Sequence, residues 1–221
     1  MDNVKILEVK QSIFESNDKQ AALLREELKK DGVFLLNLMS SPGSGKTTTL
    51  TRTIEALKDD LKIGVMEADI DSDVDAETIL KTGAKAIQLH TGGMCHLDAD
   101  MTRQGLKGLG TDDVELVILE NVGNLVCPAM FDLGESKKVV IVSTTEGDDK
   151  PLKYPHIFQE ADICVINKID LAPYLNTKVE VLRENALKVN HHLQIFEVSA
   201  TKGDGMDAWC DWLQTESAKC K

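Results

Sequence analysis

The segment SSPGSGKTT, residues 40–48, follows an apolar run that ends at Met39 and precedes a helix-like stretch. It matches the phosphate-binding pattern G-x-x-x-x-G-K-[ST] at every defined position except the first, where Ser40 replaces glycine. A strand, a glycine-rich loop and a helix in this order are the context in which the pattern binds phosphate. The segment therefore predicts a nucleotide-phosphate loop despite Ser40, and Pro42 beside Gly43 offers an alternative first turn.

Short apolar runs alternate with helix-like stretches along the rest of the chain. The runs typical of buried parallel strands are residues 33–39, 62–68, 114–120, 138–144, 163–168 and 195–200. This alternation predicts an α/β protein with the P-loop NTPase fold, a doubly wound and mostly parallel sheet with helices on both faces. We expect one such domain over residues 32–221, preceded by an amphipathic helix within residues 1–31 that has its apolar spacing between Val9 and Leu28 and stops at Gly32.

The overall charge of the chain narrows the classes of partner. Its 221 residues include 25 Lys and Arg against 37 Asp and Glu, a net charge of -12, and the basic residues do not cluster. We therefore expect no nucleic-acid partner. The first thirty residues lack the apolar stretch of a signal peptide or membrane span, so we expect a cytoplasmic protein with no membrane association. Five cysteines in that compartment favour thiols or metal ligands over disulfides.

The loop supplies groups suited to the phosphates of a nucleotide. Gly43 and Gly45 allow backbone N–H groups to turn inward, and Lys46 places a positive charge near the β and γ phosphates. The Thr47 hydroxyl is a suitable ligand for Mg²⁺. The residues predicted to bind the phosphates of GTP or GDP are Gly43, Ser44, Gly45, Lys46, Thr47 and Thr48.

The base is indicated by the sequence N-K-x-D that follows the run ICVI. The Asp170 carboxylate is suited to accept hydrogen bonds from the N1–H and exocyclic amine of guanine, whereas adenine presents the opposite pattern at N1. Ser199-Ala200-Thr201, after a later strand, resembles the second guanine-side loop of GTPases. The residues predicted to bind guanine are Asn167, Lys168, Asp170, Ser199 and Ala200.

The sequence ENVGN, residues 120–124, lies where GTPase folds sense the γ phosphate. Asn124 stands where a Ras-like enzyme has its water-positioning Gln, so we expect slow unaided hydrolysis. Four aspartates occupy alternate positions along residues 69–75, where one or two could reach the magnesium ion or the attacking water. The alternative is that they stabilise the positive end of the next helix. The predicted catalytic residues are Lys46, Asp75, Glu120 and Gly123, and the predicted magnesium ligands are Thr47, Asp69 and Glu120.

A second group of residues suggests a transition-metal site. Cys95 and His96 are adjacent in a loop behind two glycines, and Cys127 lies four residues beyond Gly123. Thiolate and imidazole ligands suit nickel, zinc or copper. Three ligands leave a tetrahedral site one short, which indicates a homodimer with the metal at its interface. Cys164 and Cys210 are interpreted instead as packing residues.

Several long motifs together resemble the HypB family of hydrogenase maturation GTPases, in the SIMIBI class of P-loop proteins. They are SSPGSGKT, TGGMCHLDADM, ENVGNLVCPAMFDLGE, STTEGDDKPLKYP and NKIDLAPYLN. The resemblance implies a GTP-dependent dimer that assists nickel insertion into [NiFe] hydrogenase, with a HypA-type nickel-delivery protein and the hydrogenase large subunit as partners. It also implies that the Ser40 variant of the loop is ordinary.

The chain departs from some members, which carry an amino-terminal Cys- or His-rich nickel motif. Here no Cys or His precedes His90, so Cys95, His96 and Cys127 are the candidate nickel or zinc ligands. The related urease accessory family UreG has Cys-Pro-His where this chain has Cys127-Pro128-Ala129. Lys150 and Lys153 of the fourth motif are interpreted as exposed, solvated side chains, with a reach toward the nucleotide or the facing subunit as the alternative.

Two other classes of function remain open at the level of sequence. In a regulatory nucleotide-binding adaptor the cysteines would only pack, and a small-molecule kinase would use the same loop with ATP. Asn167 and Asp170 argue against the kinase.

Overall fold

The computed structural model describes residues 2–69, 78–91 and 93–220, with side chains from residue 15 onward except that of Asp69. Within this part of the chain, seven strands form one sheet in the order β3-β2-β4-β1-β5-β6-β7, and every neighbouring pair is parallel. The predicted doubly wound fold is therefore confirmed. The strands are β1 (Phe34–Ser40), β2 (Ile63–Asp69), β3 (Lys85–His90), β4 (Leu116–Glu120), β5 (Lys137–Ser143), β6 (Ile163–Asn167) and β7 (Gln194–Glu197).

Helices connect the strands and cover the sheet. The α-helices with both ends in the described residues are α1 (Asp2–Asp31), α2 (Lys46–Leu57), α3 (Ala99–Leu109), α4 (Lys150–Lys153), α5 (Pro155–Glu160), α6 (Val179–Val189) and α7 (Met206–Ala218). Short 3₁₀ helices span Cys127–Met130, Thr144–Glu146 and Ile169–Tyr174. None of the described helices combines the length and the apolar character that crossing a bilayer requires.

The central strand β1 is buried on both faces, as expected for a parallel sheet between helical layers. Leu36 packs on one side in a cluster with residues of α2 and α7, and Leu35 packs on the other side with residues of α1 and α3. The Trp209 indole of α7 also donates a hydrogen bond to Thr53 Oγ1 of α2 at 3.0 Å. The segment before the P-loop is thus fixed from both sides.

Two elements differ from the sequence predictions. The strand β3, with the sequence KAIQLH, was missed, because it lies at the sheet edge and is only partly buried, so it lacks the continuous apolar run of an inner strand. The first helix is longer than its apolar spacing indicated, and it ends as predicted just before Gly32, which has a φ of 70°.

The C-terminal half of helix α1 is attached to the rest of the fold. Leu24 and Leu28 are buried against the sheet, and the Asn17 side chain donates to the backbone carbonyl of Asp132 at 2.8 Å. The side-chain oxygen of Asn17 accepts from the backbone N–H of Ala99 at 2.9 Å. The division of the chain into a helix (1–31) and a nucleotide-binding domain (32–221) stays a prediction.

The two cysteines interpreted as packing residues are buried. Cys164 lies within β6, where burial raises its pKa to about 12, and Cys210 lies in α7, where burial and two nearby aspartates raise its pKa to about 11. Because the thiolate is the reactive form, both thiols are protected at neutral pH.

We predict that iodoacetamide at pH 8 modifies neither Cys164 nor Cys210 in the folded protein, whereas both react in denaturant. Mass spectrometry of the alkylated peptides measures this, with the partly exposed Cys95 as the internal control. Modification of Cys164 in the folded protein at the rate of Cys95 would contradict the prediction.

Candidate functional site

A cleft of about 560 Å³ opens at the carboxyl ends of β1, β2 and β4. In open parallel sheets this edge is where ligands bind. The cleft is lined by the loop after β1, the ends of β2 and β4, the segment 121–123, Gln88 of β3 and Lys168. The predicted phosphate-binding residues 45–48 and the predicted catalytic residues Glu120 and Gly123 all contribute to this lining.

The P-loop depends on two glycines for its shape. Gly43 and Gly45 have φ angles of 78° and 95°, in the left-handed region that disfavours other residues. A Cβ atom at Gly45 would also lie 2.5 Å from Asn167 Nδ2, closer than real contacts allow. Gly45 precedes the first turn of α2, whose N–H groups therefore face the cleft.

Ser40 is accommodated by hydrogen bonds within the loop. Its buried hydroxyl accepts from Ser44 Oγ at 2.7 Å and from Lys46 Nζ at 3.0 Å, and donates to the Ser41 carbonyl at 2.8 Å. On the opposite side of the loop, a Cβ at Gly123 would lie 3.2 Å from Pro42 Cγ. The serine therefore contributes to the closed shape of the loop.

Asn167 joins three separate segments at the end of β6. Its Nδ2 donates to the Ser44 carbonyl at 3.0 Å and to Thr49 Oγ1 at 3.3 Å. Its Oδ1 accepts the backbone N–H groups of Lys168 at 2.7 Å and Ala200 at 3.2 Å. This buried amide thus connects the P-loop and α2 to the two predicted guanine loops.

The two predicted guanine loops are in direct contact. Ser199 Oγ donates to Asp170 Oδ1 at 2.7 Å, which holds that carboxylate beside the 199–201 loop. Lys168 is the one non-glycine residue with positive φ among the described residues, at 60°, and its Nζ donates to the Gly43 carbonyl at 2.6 Å. Polar groups from both loops therefore converge beside the P-loop.

The predicted magnesium ligands are placed as follows. Thr47 Oγ1 donates to Glu120 Oε1 at 3.1 Å, and Lys46 Nζ lies 3.9 Å from the same oxygen. A hydroxyl and a buried carboxylate are the hard oxygen ligands that Mg²⁺ prefers, so this pair fits the ion. The Asp69 side chain and the whole of Asp75 lie outside the described residues.

Asn124 is not among the residues that line the cleft. Its Oδ1 accepts the backbone N–H groups of Val126 at 2.7 Å and Cys127 at 3.1 Å, just before and at the start of the 3₁₀ helix Cys127–Met130. The side chain at the position of a Ras-like Gln is therefore engaged elsewhere. The same two bonds connect the loop beside Pro42 to a predicted metal ligand.

Two of the three predicted transition-metal ligands lie together. Cys95 Sγ is 2.7 Å from Cys127 Sγ, although the residues are 32 positions apart. The Cys95 thiol is the largest cause of the raised pKa of Cys127, and burial adds to it. Within the described part of the chain, no group of three or more His, Cys, Asp or Glu side chains is arranged to hold a metal ion.

The third predicted ligand, His96, is turned toward an aromatic ring. Its Nδ1 lies 4.0 Å from Cys95 Sγ, and its ring stacks on Phe131 with centroids 4.0 Å apart. Burial lowers the pKa of His96, and nearby Asp98 partly offsets this. A neutral imidazole, the form that binds metals, is thereby favoured.

Residues 34–197 match the family described as CobW/HypB/UreG, nucleotide-binding domain. The hydrogenase maturation factor HypB of Rhizobium leguminosarum bv. viciae is 49% identical over 219 residues, covering 99% of this chain and 73% of the relative. The chain belongs to the HypB family. It is therefore a P-loop GTPase of the hydrogenase maturation factors.

Solved HypB structures have the same fold. The crystal structure of HypB from Archaeoglobus fulgidus has a TM-score of 0.86 and 42% identity, covering 92% of this chain and 99% of that one. HypB from Helicobacter pylori, crystallised in complex with nickel, has a TM-score of 0.86 and 38% identity, covering 92% and 96%.

The structure of this HypB-family chain also reveals contacts that the sequence did not predict. The Ser41 hydroxyl donates to Glu146, whose Oε1 lies 3.6 Å from Lys150 Nζ. The interpretation of Lys150 as solvated was wrong, because its side chain is only 20% exposed and its ammonium lies over the Tyr154 ring. Lys153, at 62% exposure, fits that interpretation.

Three polar residues that line the cleft were missed: Glu67, Gln88 and Asn121. Glu67 and Gln88 lie within strands, where no loop motif marks them, and the strand of Gln88 was itself missed. Asn121 was part of a quoted motif without a role. Its Nδ2 donates to Asn37 at 3.1 Å, and Asn37 in turn donates to the buried Glu135 at 3.1 Å.

We predict that Asn167→Ala lowers the free energy of unfolding of the nucleotide-free protein by about 3 kcal/mol, because it leaves buried backbone groups of Ser44 and Ala200 unpaired. Urea denaturation measures the change, and Asn176→Ala on an exposed loop is the matched control. Equal unfolding free energies for the two variants would show that Asn167 does not connect the loops.

Proposed function

We propose that the chain binds GTP in this cleft, couples its hydrolysis to dimerisation, and carries nickel or zinc at the cysteine pair for the maturation of [NiFe] hydrogenase. The observation that carries the proposal is the contact between Cys95 and Cys127, because it brings two soft ligands together, one of them four residues beyond Gly123 of the cleft lining. The nickel complex of the Helicobacter pylori relative supports nickel as the cargo.

Each part of the nucleotide is assigned to a described group of residues. The N–H groups of residues 43–48 and the Lys46 ammonium bind the phosphates. The Asp170 carboxylate accepts from guanine, while Asn167, Lys168, Ser199 and Ala200 form the walls around the base.

The remaining catalytic assignments concern the γ phosphate. Gly123 offers its N–H to that phosphate, and Lys46 stabilises the charge that develops on it. Thr47 and Glu120 would hold Mg²⁺, which when bound neutralises charge on the β and γ phosphates. Asp75 and Asp69 remain proposed as further acidic groups at this end.

A short covalent path connects the nucleotide to the metal ligands. Gly123 contacts Pro42 of the P-loop, and Cys127 follows four residues later. Asn124 holds the two ends of this path together through its bonds to the backbone of Val126 and Cys127. A shift of Gly123 on γ-phosphate loss therefore moves Cys127 relative to Cys95.

A second copy of the chain would complete the metal site. Two thiols and one imidazole leave a position open, and the three surrounding side chains Met94, Val126 and Met130 are apolar and 43%, 51% and 49% exposed. Exposed apolar groups around incomplete ligands favour a homodimer at this surface. Rotation of His96 away from Phe131 would bring its nitrogen into the set.

The wider assignments follow from the family. A HypA-type nickel-delivery protein and the hydrogenase large subunit are proposed as the donor and the recipient of the metal, and the cytoplasm as the compartment. The competing adaptor hypothesis, with packing cysteines, is disfavoured because Cys95 and Cys127 are partly exposed whereas Cys164 and Cys210 are buried.

We predict that Cys127→Ala weakens nickel binding more than roughly 100-fold, since loss of an outer-shell partner alone costs about 10- to 100-fold. Equilibrium dialysis with Ni²⁺ and light scattering measure binding and oligomeric state, each with GDP and with a non-hydrolysable GTP analogue. The control is Cys220→Ala, which removes a thiol that lies outside the pair.

The wild-type protein is expected to dimerise more strongly, and to bind nickel more tightly, with the GTP analogue than with GDP. Equal dimerisation and equal nickel affinity with the two nucleotides would exclude the coupling. Intact nickel binding by Cys127→Ala would exclude the metal site.

We predict that Asp170→Asn lowers the affinity for GTP by at least roughly 100-fold and raises that for xanthosine triphosphate. The new amide donates to the xanthine O2 carbonyl, where the carboxylate accepted from the guanine amine. Competition against a fluorescent nucleotide measures both affinities. An unchanged GTP affinity of Asp170→Asn would show that the guanine base does not bind at Asp170.

A further inference from the structure

Gln88 lies in a row of three polar side chains at the end of the cleft that contains Thr47 and Glu120. Gln88 of β3 pairs in register with Glu67 of β2, and Glu67 pairs with Glu120 of β4. Register partners in a parallel sheet point to the same face, so the three side chains lie side by side. All three line the cleft, in which Glu120 also contacts Thr47.

The side-chain amide of Gln88 makes no hydrogen bond to the described residues. Its Nε2 and Oε1 are both buried, and neither has a hydrogen-bond partner within the part of the chain that the structure describes. Buried amides are normally bonded, because desolvation without a partner is destabilising. A group of this kind that faces a ligand cleft indicates a partner that arrives with the ligand.

Two other side-chain amides, those of Asn121 and Asn124, already make hydrogen bonds within the protein. Asn121 Nδ2 donates to Asn37, and its Oδ1 accepts the backbone N–H of Val122 at 2.9 Å. The Asn124 side-chain oxygen accepts the backbone N–H groups of Val126 and Cys127. Of these three amides, Gln88 is the one that retains both a donor and an acceptor for a ligand.

We propose that Gln88 binds and orients the water molecule that attacks the γ phosphorus of GTP. Its carbonyl oxygen accepts a hydrogen bond from this water, and its NH₂ group donates to a γ-phosphate oxygen. The water oxygen bonds to the γ phosphorus as the bond to the β–γ bridging oxygen breaks. The products are GDP and inorganic phosphate, and the phosphate takes up the water proton.

This role explains how a chain whose Asn124 oxygen is bonded to the backbone of Val126 and Cys127 retains a carboxamide for hydrolysis. It rests on the proposed placement of GTP in the cleft, and GDP affinity tests that placement separately. Because the Gln88 amide makes no hydrogen bond to any described residue, its removal is not expected to destabilise the fold, unlike the removal of Asn167.

The test compares Gln88→Met, which keeps the side-chain volume, with Gln194→Met at the exposed first position of strand β7. Three quantities are measured for each full-length variant: the single-turnover rate of phosphate release from GTP with Mg²⁺, the Kd for GDP, and the melting temperature without nucleotide. For Gln88→Met we expect a rate lower by roughly 10- to 100-fold, a Kd for GDP within about twofold of wild type, and a melting temperature that is unchanged or higher. Gln194→Met is expected to match wild type in all three.

A wild-type rate in Gln88→Met would overturn the proposal. A rate that falls together with GDP affinity or with the melting temperature would also overturn it, because the amide would then have a structural role. Failure of the wild-type protein to bind GDP would instead refute the placement of the nucleotide.

Discussion

The nucleotide site depends on the buried side chain of Asn167. One amide satisfies the Ser44 carbonyl, the Thr49 hydroxyl and the N–H groups of Lys168 and Ala200. No other residue type of this size offers two donors and an acceptor with two lone pairs at these positions. The contact also explains Gly45, because a side chain there would overlap the amide. The P-loop and the two predicted guanine loops are therefore held in one geometry before a nucleotide binds.

The proposed metal ligands are linked to this rigid unit less tightly. The thiols of Cys95 and Cys127 come from loops that follow β3 and β4, two strands separated only by β2. His96 stacks on Phe131 rather than facing both sulfurs, and Asn124 holds the loop of Cys127 through a single oxygen. One rigid part and one adjustable part suit the proposed role, in which the chain both binds and releases a metal ion.

The sequence was sufficient for the parts of the site that are contiguous motifs. Residues 40–48 and 167–170 could be proposed as site residues because their chemistry requires fixed spacing, and the fold could be predicted from alternating apolar runs. Contacts between distant residues could not be derived in this way. The bonds of Ser40 to Lys46 and of Ser41 to Glu146 depend on how the loop closes, and the partly buried β3, which carries Gln88, lacks an apolar run. The orientations of Asn124 and His96 likewise depend on three-dimensional neighbours.

The wholly parallel sheet constrains the order in which the chain acquires its structure during synthesis. The central strand β1 pairs with β4, so that Phe34 lies opposite Leu116, and with β5, which follows later still. The P-loop thus leaves the ribosome long before the strands that flank it exist, and pairings between such distant segments form slowly. Until then the apolar side chains of β1 have no sheet to enter, and they are the surface on which a nascent-chain chaperone would bind.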